Sequence, residues 1–251
     1  MNLVKGLKNS IAFLTIIPVG MDIDGVAQAA AYMPLFPLIG AVVGLIVGVA
    51  VRLFEFVLPS LPSAAIGVGL LLLINGVQHM DGLLDFGDGI MFHGTRSGKL
   101  RVMRDPATGA GGVAFGLMVL LVTVSTLADF PSALVAHSLA VSEAAAMFAM
   151  VLATGAGRSA HRGMNTVFVK AMHRQRGLRL SVSCVITLTV SYFALSVVGL
   201  VAVLGVAVTA LLMVAVSNRS FGGLTGDVLG ATNEIARSVS LILLLVFLRW
   251  V

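Results

Sequence analysis

His79-Met80-Asp81-Gly82-Leu83-Leu84-Asp85-Phe86-Gly87-Asp88-Gly89 places three of the chain's 11 acidic residues within eight positions. Read as a helix, Asp81, Asp85 and Asp88 fall at i, i+4 and i+7, on one stripe. Stacked carboxylates repel each other by about 0.2–0.5 kcal/mol per pair even on an exposed helix. A compensating cation is therefore expected, and Mg²⁺ is the simplest, since aspartate oxygens together with a substrate's phosphate oxygens are its usual ligands. The neighbours of the three acids are Gly82, Leu83, Leu84, Phe86 and Gly87, not the Lys and Ser of a solvated helix face. Acids projecting from an apolar, close-packed helix are expensive and mark a site.

Outward from this stretch the chain has little charge. Of 251 residues, 58% are hydrophobic and 11% charged, and the mean hydropathy is +1.05. A soluble domain is about 25% charged. The expected fold is all-α: one integral membrane domain over residues 1–251, a polytopic helix bundle. Spans of about 20 apolar residues are expected near 33–51, 64–78, 113–127, 133–154, 181–198, 200–217 and 235–251. That makes seven, the fifth and sixth forming a hairpin around Gly199. Gly40, Gly44 and Gly48 give the first span a small-residue face that admits another helix, within the chain or in a second copy; the latter would make a homo-oligomer.

Residues 1–31 read as a peripheral N-terminal segment. Leu3, Leu7, Ile11 and Leu14 recur near helical spacing beside Lys5 and Lys8, as in an amphipathic helix on the membrane surface or one packed on the bundle. Asp22-Ile23-Asp24-Gly25 lacks the remaining ligands of a calcium loop and reads as a turn or helix cap. The apolar run 11–19 is short and broken by Pro18, unlike a cleavable signal peptide. The single Cys184 excludes an internal disulfide framework and a cysteine-based zinc site.

The positive charge has a side. Lys5, Lys8, Arg96, Lys99, Arg101, Arg104, the six basic residues of 155–179, Arg219 and Arg237 all fall in segments on the N-terminal side of the membrane. Only Arg52 and Arg249 fall opposite. The bias of basic residues toward the cytoplasm puts the N-terminus, residues 79–112 and residues 218–234 at the cytoplasmic face of the cell membrane. The net charge of +5 reflects that topology and is no sign of a nucleic-acid partner.

Two further segments carry chemistry. Arg104-Asp105 precedes Pro106-Ala107-Thr108-Gly109-Ala110-Gly111-Gly112, whose backbone N–H groups and following helix N-terminus can cradle an anion. Beside an acid cluster, this suggests a phosphate held between metal and guanidinium. In 218–234, Asp227 and Glu234 are again i and i+7, with Asn233 adjacent. Thr225 or Asp227 can cap the last helix, but capping does not explain Glu234, so the segment reads as a second half of the site. His79 can serve as base, phosphate contact or interface residue. His93, His161 and His173 lie in basic segments, solvated or on phosphate, and His137 reads as structural. Glu143, inside the fourth span, either pairs with an arginine across the bundle or contacts substrate.

Acids and arginines at a membrane surface, without a Ser-His-Asp set or a Walker lysine, suggest metal-assisted phosphoryl transfer, in which catalysis is mostly charge neutralisation and alignment. A family resemblance appears at the same residues. His79 through Gly89 resembles the H-x-D-G-L-x-D-x-x-D-G signature of adenosylcobinamide-GDP ribazoletransferases, the cobalamin-5'-phosphate synthases. Met103-Arg104-Asp105 is similar to that family's M-K-D, Gly109 and Gly112 to its G-x-x-G, Gly222 through Asp227 with Asn233-Glu234 to its G-G-x-T-G-D…N-E, and Phe13 through Pro18 to its F-L-T-x-x-P. Arg104 departs from the commoner Lys, keeping charge but not geometry.

The resemblance implies a Mg²⁺-dependent membrane transferase. A ribose hydroxyl of α-ribazole, or of its 5'-phosphate, attacks the cobinamide-linked phosphorus of adenosylcobinamide-GDP, and GMP leaves. On the residues themselves, Asp81, Asp85 and Asp88 are expected to hold the metal, with Asp227 and Glu234 completing or supporting the site; Arg104, Gly109, Gly112 and Asn233 are expected at the substrate, and the base is left open among His79, Asp105 and the aspartates. Two rivals remain. A CDP-alcohol phosphotransferase would show D-G-x-x-A-R, but positions 85 and 86 are Asp and Phe. A cation transporter would set its acids at the midplane of broken helices, as Glu143 alone is placed.

Overall fold

The computed structural model describes residues 3–250. Its helices are α1 (Leu3–Leu14), α2 (Gly25–Tyr32), α3 (Phe36–Phe54), α4 (Ser60–Ile74), α5 (Gln78–Met91), α6 (Arg96–Val102), α7 (Ala110–Ala128), α8 (Ser132–Ala156), α9 (Met164–Arg174), α10 (Arg176–Ser220) and α11 (Gly226–Leu248). The 3₁₀ turn Met33–Leu35 joins α2 to α3. Among the described residues, the isolated contact of extended chain is a parallel bridge between Ser159 and Leu224.

The chain is a multi-pass membrane protein. Five helical stretches among the described residues are long and apolar enough to cross a bilayer: Gly25–Phe54, α7, α8, α10 and α11. The pair α4 and α5, bent by 95°, makes a sixth if taken as one broken span. The seven spans expected from the sequence differ from this count at α10. Its 45 residues amount to about 68 Å of helix at 1.5 Å per residue, twice the thickness of a hydrocarbon core. Helical geometry fails at Leu195 (φ −139°, ψ 22°) and Ser196 (φ 52°, ψ −138°). There the chain folds back: a Cβ on Gly199 would sit 2.2 Å from the Ser191 carbonyl oxygen. The reversal expected at Gly199 thus lies three residues earlier, and Gly199 is where the two arms touch.

The bundle is built around α8. From Val135 to Gly155 it is buried except at His137 and Leu152, and α3, α10 and α11 pack on it. Its many alanines allow close approach, and on α3 the Gly40, Gly44 and Gly48 stripe meets it. Added Cβ atoms would lie 2.6 Å from the Glu143 carbonyl oxygen, 2.3 Å from that of Leu139 and 2.5 Å from the Ala136 Cα. The expected small-residue interface is real and lies within the chain.

The N-terminal segment is tied to this bundle. In α1, Leu14, Asn9 and Ser10 are buried. Asn9 Nδ2 donates to the Asp22 carboxylate and to Gln28 Oε1, both at 2.9 Å, and Lys8 Nζ donates to Asp22 at 2.9 Å. α1 is thus fastened to the turn at Asp22 and to α2. Asp22 accepts the Gly25 N–H at 2.9 Å, the turn read from the sequence, whereas α2 starts without a side-chain cap from Asp24. The first long apolar stretch begins at Gly25.

Candidate active site

The acid stripe is aimed by a bend. After α4, Gly76 (φ 61°) and Val77 (φ 60°) are both left-handed. A β-branched residue rarely tolerates that region, and the strain, of order 1–3 kcal/mol, is of the kind that persists where surrounding structure enforces it. The Ile16 N–H donates to the Ile74 carbonyl at 2.8 Å, so the end of the N-terminal segment braces the bend. α5 then leaves at 95° to α4. Its apolar face buries His79, Met80, Leu83 and Phe86, while Asp81 is exposed and Asp85 and Asp88 are half-buried.

Glycines on two flanks bring the neighbours in. A Cβ on Gly82 would meet the Asp227 carbonyl oxygen at 2.8 Å, and one on Gly87 would meet the Gly112 Cα at 3.0 Å. α5 is therefore pressed between the N-termini of α11 and α7. Asp227, far away in sequence, joins the stripe: Asp85 interacts electrostatically with Asp227, Asp81 and Asp88. Among the described residues none of these four carboxylates makes an ion pair with a side chain.

Asp88 is held differently from the others. Its two oxygens accept the Gly109 and Gly112 N–H groups, each at 2.7 Å. The glycine turn and α7 N-terminus, expected to cradle a substrate phosphate, cradle Asp88 instead. The positive end of the helix and its free N–H groups stabilise whichever anion reaches them, and Asp88 is already there.

Cations line the neighbouring cleft, of about 580 Å³, whose walls include Arg101, Arg104, Asp105 and His161. Asp227 interacts electrostatically with Arg104 and His161 as well as Asp81, so cleft and acids are contiguous. The strap bearing His161 is pinned to the second site segment: Leu224 N–H donates to the Arg158 carbonyl at 2.7 Å, and Ala160 N–H to the Leu224 carbonyl at 2.8 Å. Asp105 accepts the Ala107 N–H at 3.0 Å, shaping the turn after α6. Lys99 Nζ donates to the carbonyls of Gly89 and Ile90 at 3.3 and 3.1 Å and so caps the end of α5. Thr225 caps α11 by accepting the Val228 N–H at 3.1 Å, and its hydroxyl donates to Asp227 at 3.2 Å. His93, His137 and His173 are exposed.

Asn233 and Glu234 lie deeper. Arg237 is fully buried and is bonded to both Glu143 and Glu234. A further Arg237 nitrogen reaches Glu143 and the Asn233 Oδ1, each at 3.2 Å. Of the two roles open to Glu143, pairing with an arginine is the one observed. The sequence places Arg237 with the cytoplasmic flank; it lies in the interior instead. Its sequence signal was the i, i+3 spacing from Glu234, which only a partner on α8 turns into a buried triad.

A family model described as cobalamin-5-phosphate synthase matches residues 6–245. The chain is 36% identical over 256 residues to an adenosylcobinamide-GDP ribazoletransferase of Methanocella arvoryzae, covering 96% of this chain and 95% of the relative. It is 32% identical to one from Methanococcoides burtonii, covering 96% and 91%, and 34% identical to one from Halorubrum lacusprofundi, covering 95% and 96%. No solved structure matches.

Proposed function

The chain belongs to the cobalamin-5-phosphate synthase family, and from that premise we propose how its site carries out the adenosylcobinamide-GDP ribazoletransferase reaction of its relatives. A ribose hydroxyl of α-ribazole, or of its 5'-phosphate, attacks the phosphorus that bears the cobinamide. The bond from that phosphorus to the oxygen of the departing phosphate breaks, GMP leaves, and the hydroxyl proton passes to a base of the site. The product is adenosylcobalamin or its 5'-phosphate.

One observation carries the residue assignment: four carboxylates that pair with no cationic side chain among the described residues are joined through Asp227, which interacts with Arg104 and His161, to a cleft walled by Arg101, Arg104 and His161. Arg104 and Arg101 receive the diphosphate through charge-assisted bonds. The uncompensated carboxylates fit Mg²⁺ by chemistry, with Asp81, Asp85 and Asp227 as the groups that would hold it. Among the described residues no three acid, histidine or cysteine side chains converge on one metal-sized point; Asp81 is exposed, and Asp85 and Asp227 are half-buried. Bound there, the ion would neutralise charge on the transferring phosphoryl group and its leaving phosphate. Asp88, tethered by Gly109 and Gly112, fixes α5 against α7. Glu234 and Asn233 support the site through Arg237. The proton acceptor lies among Asp81, Asp85 and His79. The site faces the cytoplasm, in keeping with the basic segments around it.

Glu143, the acid a transporter would need free within the bundle, is paired with Arg237, which favours the enzyme. The test is incubation of the lipid-reconstituted protein with adenosylcobinamide-GDP, α-ribazole and Mg²⁺, with and without EDTA, following GMP. Mg²⁺-dependent GMP and a cobalamin product are expected. Full turnover and unchanged Mg²⁺ dependence in Asp85→Asn would overturn the metal assignment; no GMP from folded wild-type protein would overturn the substrate.

A further inference from the structure

A second cavity is lined by residues adjacent in sequence to the acids. It has a volume of about 160 Å³, and its walls include Phe13, Phe36, Phe168, His79, Asn165 and Gly226. The three phenyl rings pack on one another in its wall, with centroids 4.9 Å apart for Phe13–Phe168, 6.3 Å for Phe13–Phe36 and 6.4 Å for Phe36–Phe168. Two side-chain atoms of its polar lining, His79 Nδ1 and Asn165 Oδ1, are buried without a hydrogen-bond partner. Their residues are 7% and 6% exposed. The orientation of Asn165 is set, because its Nδ2 donates to the Leu224 carbonyl at 2.7 Å and to Ser159 at 3.3 Å. Its oxygen is left as a free acceptor. Buried polar atoms without partners are costly and call for an explanation.

The position supplies one. Gly226 lines this cavity and the next residue, Asp227, belongs to the acid cluster. His79 lines it and Asp81 follows two residues later. The strap that carries His161 into the cationic cleft carries Asn165 here. Both cavities are therefore walled by the segments that carry or contact the carboxylates, one cationic, the other aromatic with two polar atoms.

We propose that the cavity of Phe13, Phe36, Phe168, His79 and Asn165 binds the heteroaromatic base of the nucleoside that provides the attacking hydroxyl. This rests on the transferase reading above. At about 30 Å³ per water the cavity holds only a few waters, enough for a flat ring system and far too little for a corrin. Aromatic walls stack on any base, and three heteroaromatic bases are present in the reaction: guanine, the adenine of the adenosyl group and the benzimidazole of ribazole. Adenine, with an amino donor and three ring-nitrogen acceptors, is poorly matched to a lining with two free polar atoms. Guanine presents several donors and acceptors that these mostly apolar walls would leave unmet. A benzimidazole joined to ribose keeps one ring-nitrogen acceptor, which His79 Nδ1–H can satisfy, while Asn165 Oδ1 accepts from a ribose hydroxyl. The base is then anchored, with its ribose directed past Gly226 toward Asp227.

The test compares wild type with Phe168→Ala, which removes a stacking wall, and Phe168→Trp, which fills the space. The KM values for α-ribazole and for adenosylcobinamide-GDP are measured separately. Binding of α-ribazole alone is followed through its benzimidazole fluorescence. Both variants are expected to raise the α-ribazole KM and weaken its binding by about 5- to 150-fold, the loss that one base–aromatic stack represents, with the adenosylcobinamide-GDP KM unchanged. A purely structural role for Phe168 would lower kcat and thermal stability without that split. Unchanged α-ribazole KM in folded variants overturns the proposal, as does a rise confined to adenosylcobinamide-GDP, which would put one of that substrate's two purines in the cavity. If Phe168→Ala fails to fold, Phe168→Leu provides the same reading. Wild-type protein that makes no GMP would refute the transferase reading itself, a separate result from this one.

Discussion

Replacing Arg237 by methionine should be among the most destabilising single changes in this protein. Arg237 and Glu143 are fully buried and Glu234 is 2% exposed. One guanidinium compensates two carboxylates and also bonds Asn233. Arg237→Met keeps the volume of the stem but leaves two carboxylates uncompensated in the interior. Breaking a buried pair in this way costs about 3–5 kcal/mol. For a chain of this size that corresponds to a fall in Tm of roughly 6–20 °C. Glu143→Gln leaves Arg237 paired with Glu234, with no net charge in the cluster, and should cost only about 1–3 kcal/mol in lost charged hydrogen bonds. The triple variant Glu143→Gln, Glu234→Gln, Arg237→Met removes the charge altogether and should recover much of the loss, since neutral replacement of a whole buried cluster is often tolerated. Thermal loss of helical ellipticity in detergent measures all three. A triple variant no more stable than Arg237→Met alone would show that the penalty comes from lost packing and not from uncompensated charge.

Three other outcomes follow from the same geometry. Gly44→Ala should destabilise by about 1–3 kcal/mol by overpacking, because its Cβ would meet the Leu139 backbone at 2.3 Å, whereas Gly69, with nothing within 4 Å, should accept alanine without loss; paired thermal melts decide it. Val77→Gly should hold or raise Tm, since glycine adopts φ 60° without the steric cost that valine bears; a large fall would mean that the Val77 side chain holds the bend through contacts. The docking of α1 should depend on pH. Asp22 is held below the ordinary carboxylate range by the hydrogen bond from Asn9, then by Lys8. A depressed folded pKa gives a contribution that is present above the unfolded value, about 3.9, and is lost as pH falls through the folded one. Amide exchange over residues 5–14, corrected for intrinsic rates, should speed up below about pH 4 in wild type and lose that dependence in Asp22→Asn. Equal dependence in both would assign the effect elsewhere.

Much of this site can be read along the chain because its logic is local. The i, i+4, i+7 aspartates need only a helix to share a face, and α5 supplies one. The glycines at 40, 44 and 48 announce a close helix contact by spacing alone, and composition places the chain in a membrane. The partner in each case is not local. Only the fold identifies α8 as the helix on the glycine face, and only the 95° bend at Gly76–Val77 brings Asp227 beside Asp85. Gly109 and Gly112 illustrate the difference: their N–H groups form an anion cradle by sequence, but the tertiary structure decides which anion reaches it, and Asp88 on α5 is nearest. Arg237 is a basic residue near a cytoplasmic segment until α8 lays Glu143 against it. His79 and Asn165, 86 positions apart, meet one cavity only because the chain after α8 is pinned to Leu224, just before α11. Periodicity and charge along the sequence determine which groups a helix face presents. Which opposing face meets it depends on how backbones of different length, bend and side-chain size close-pack, and that is settled only when the whole bundle is assembled.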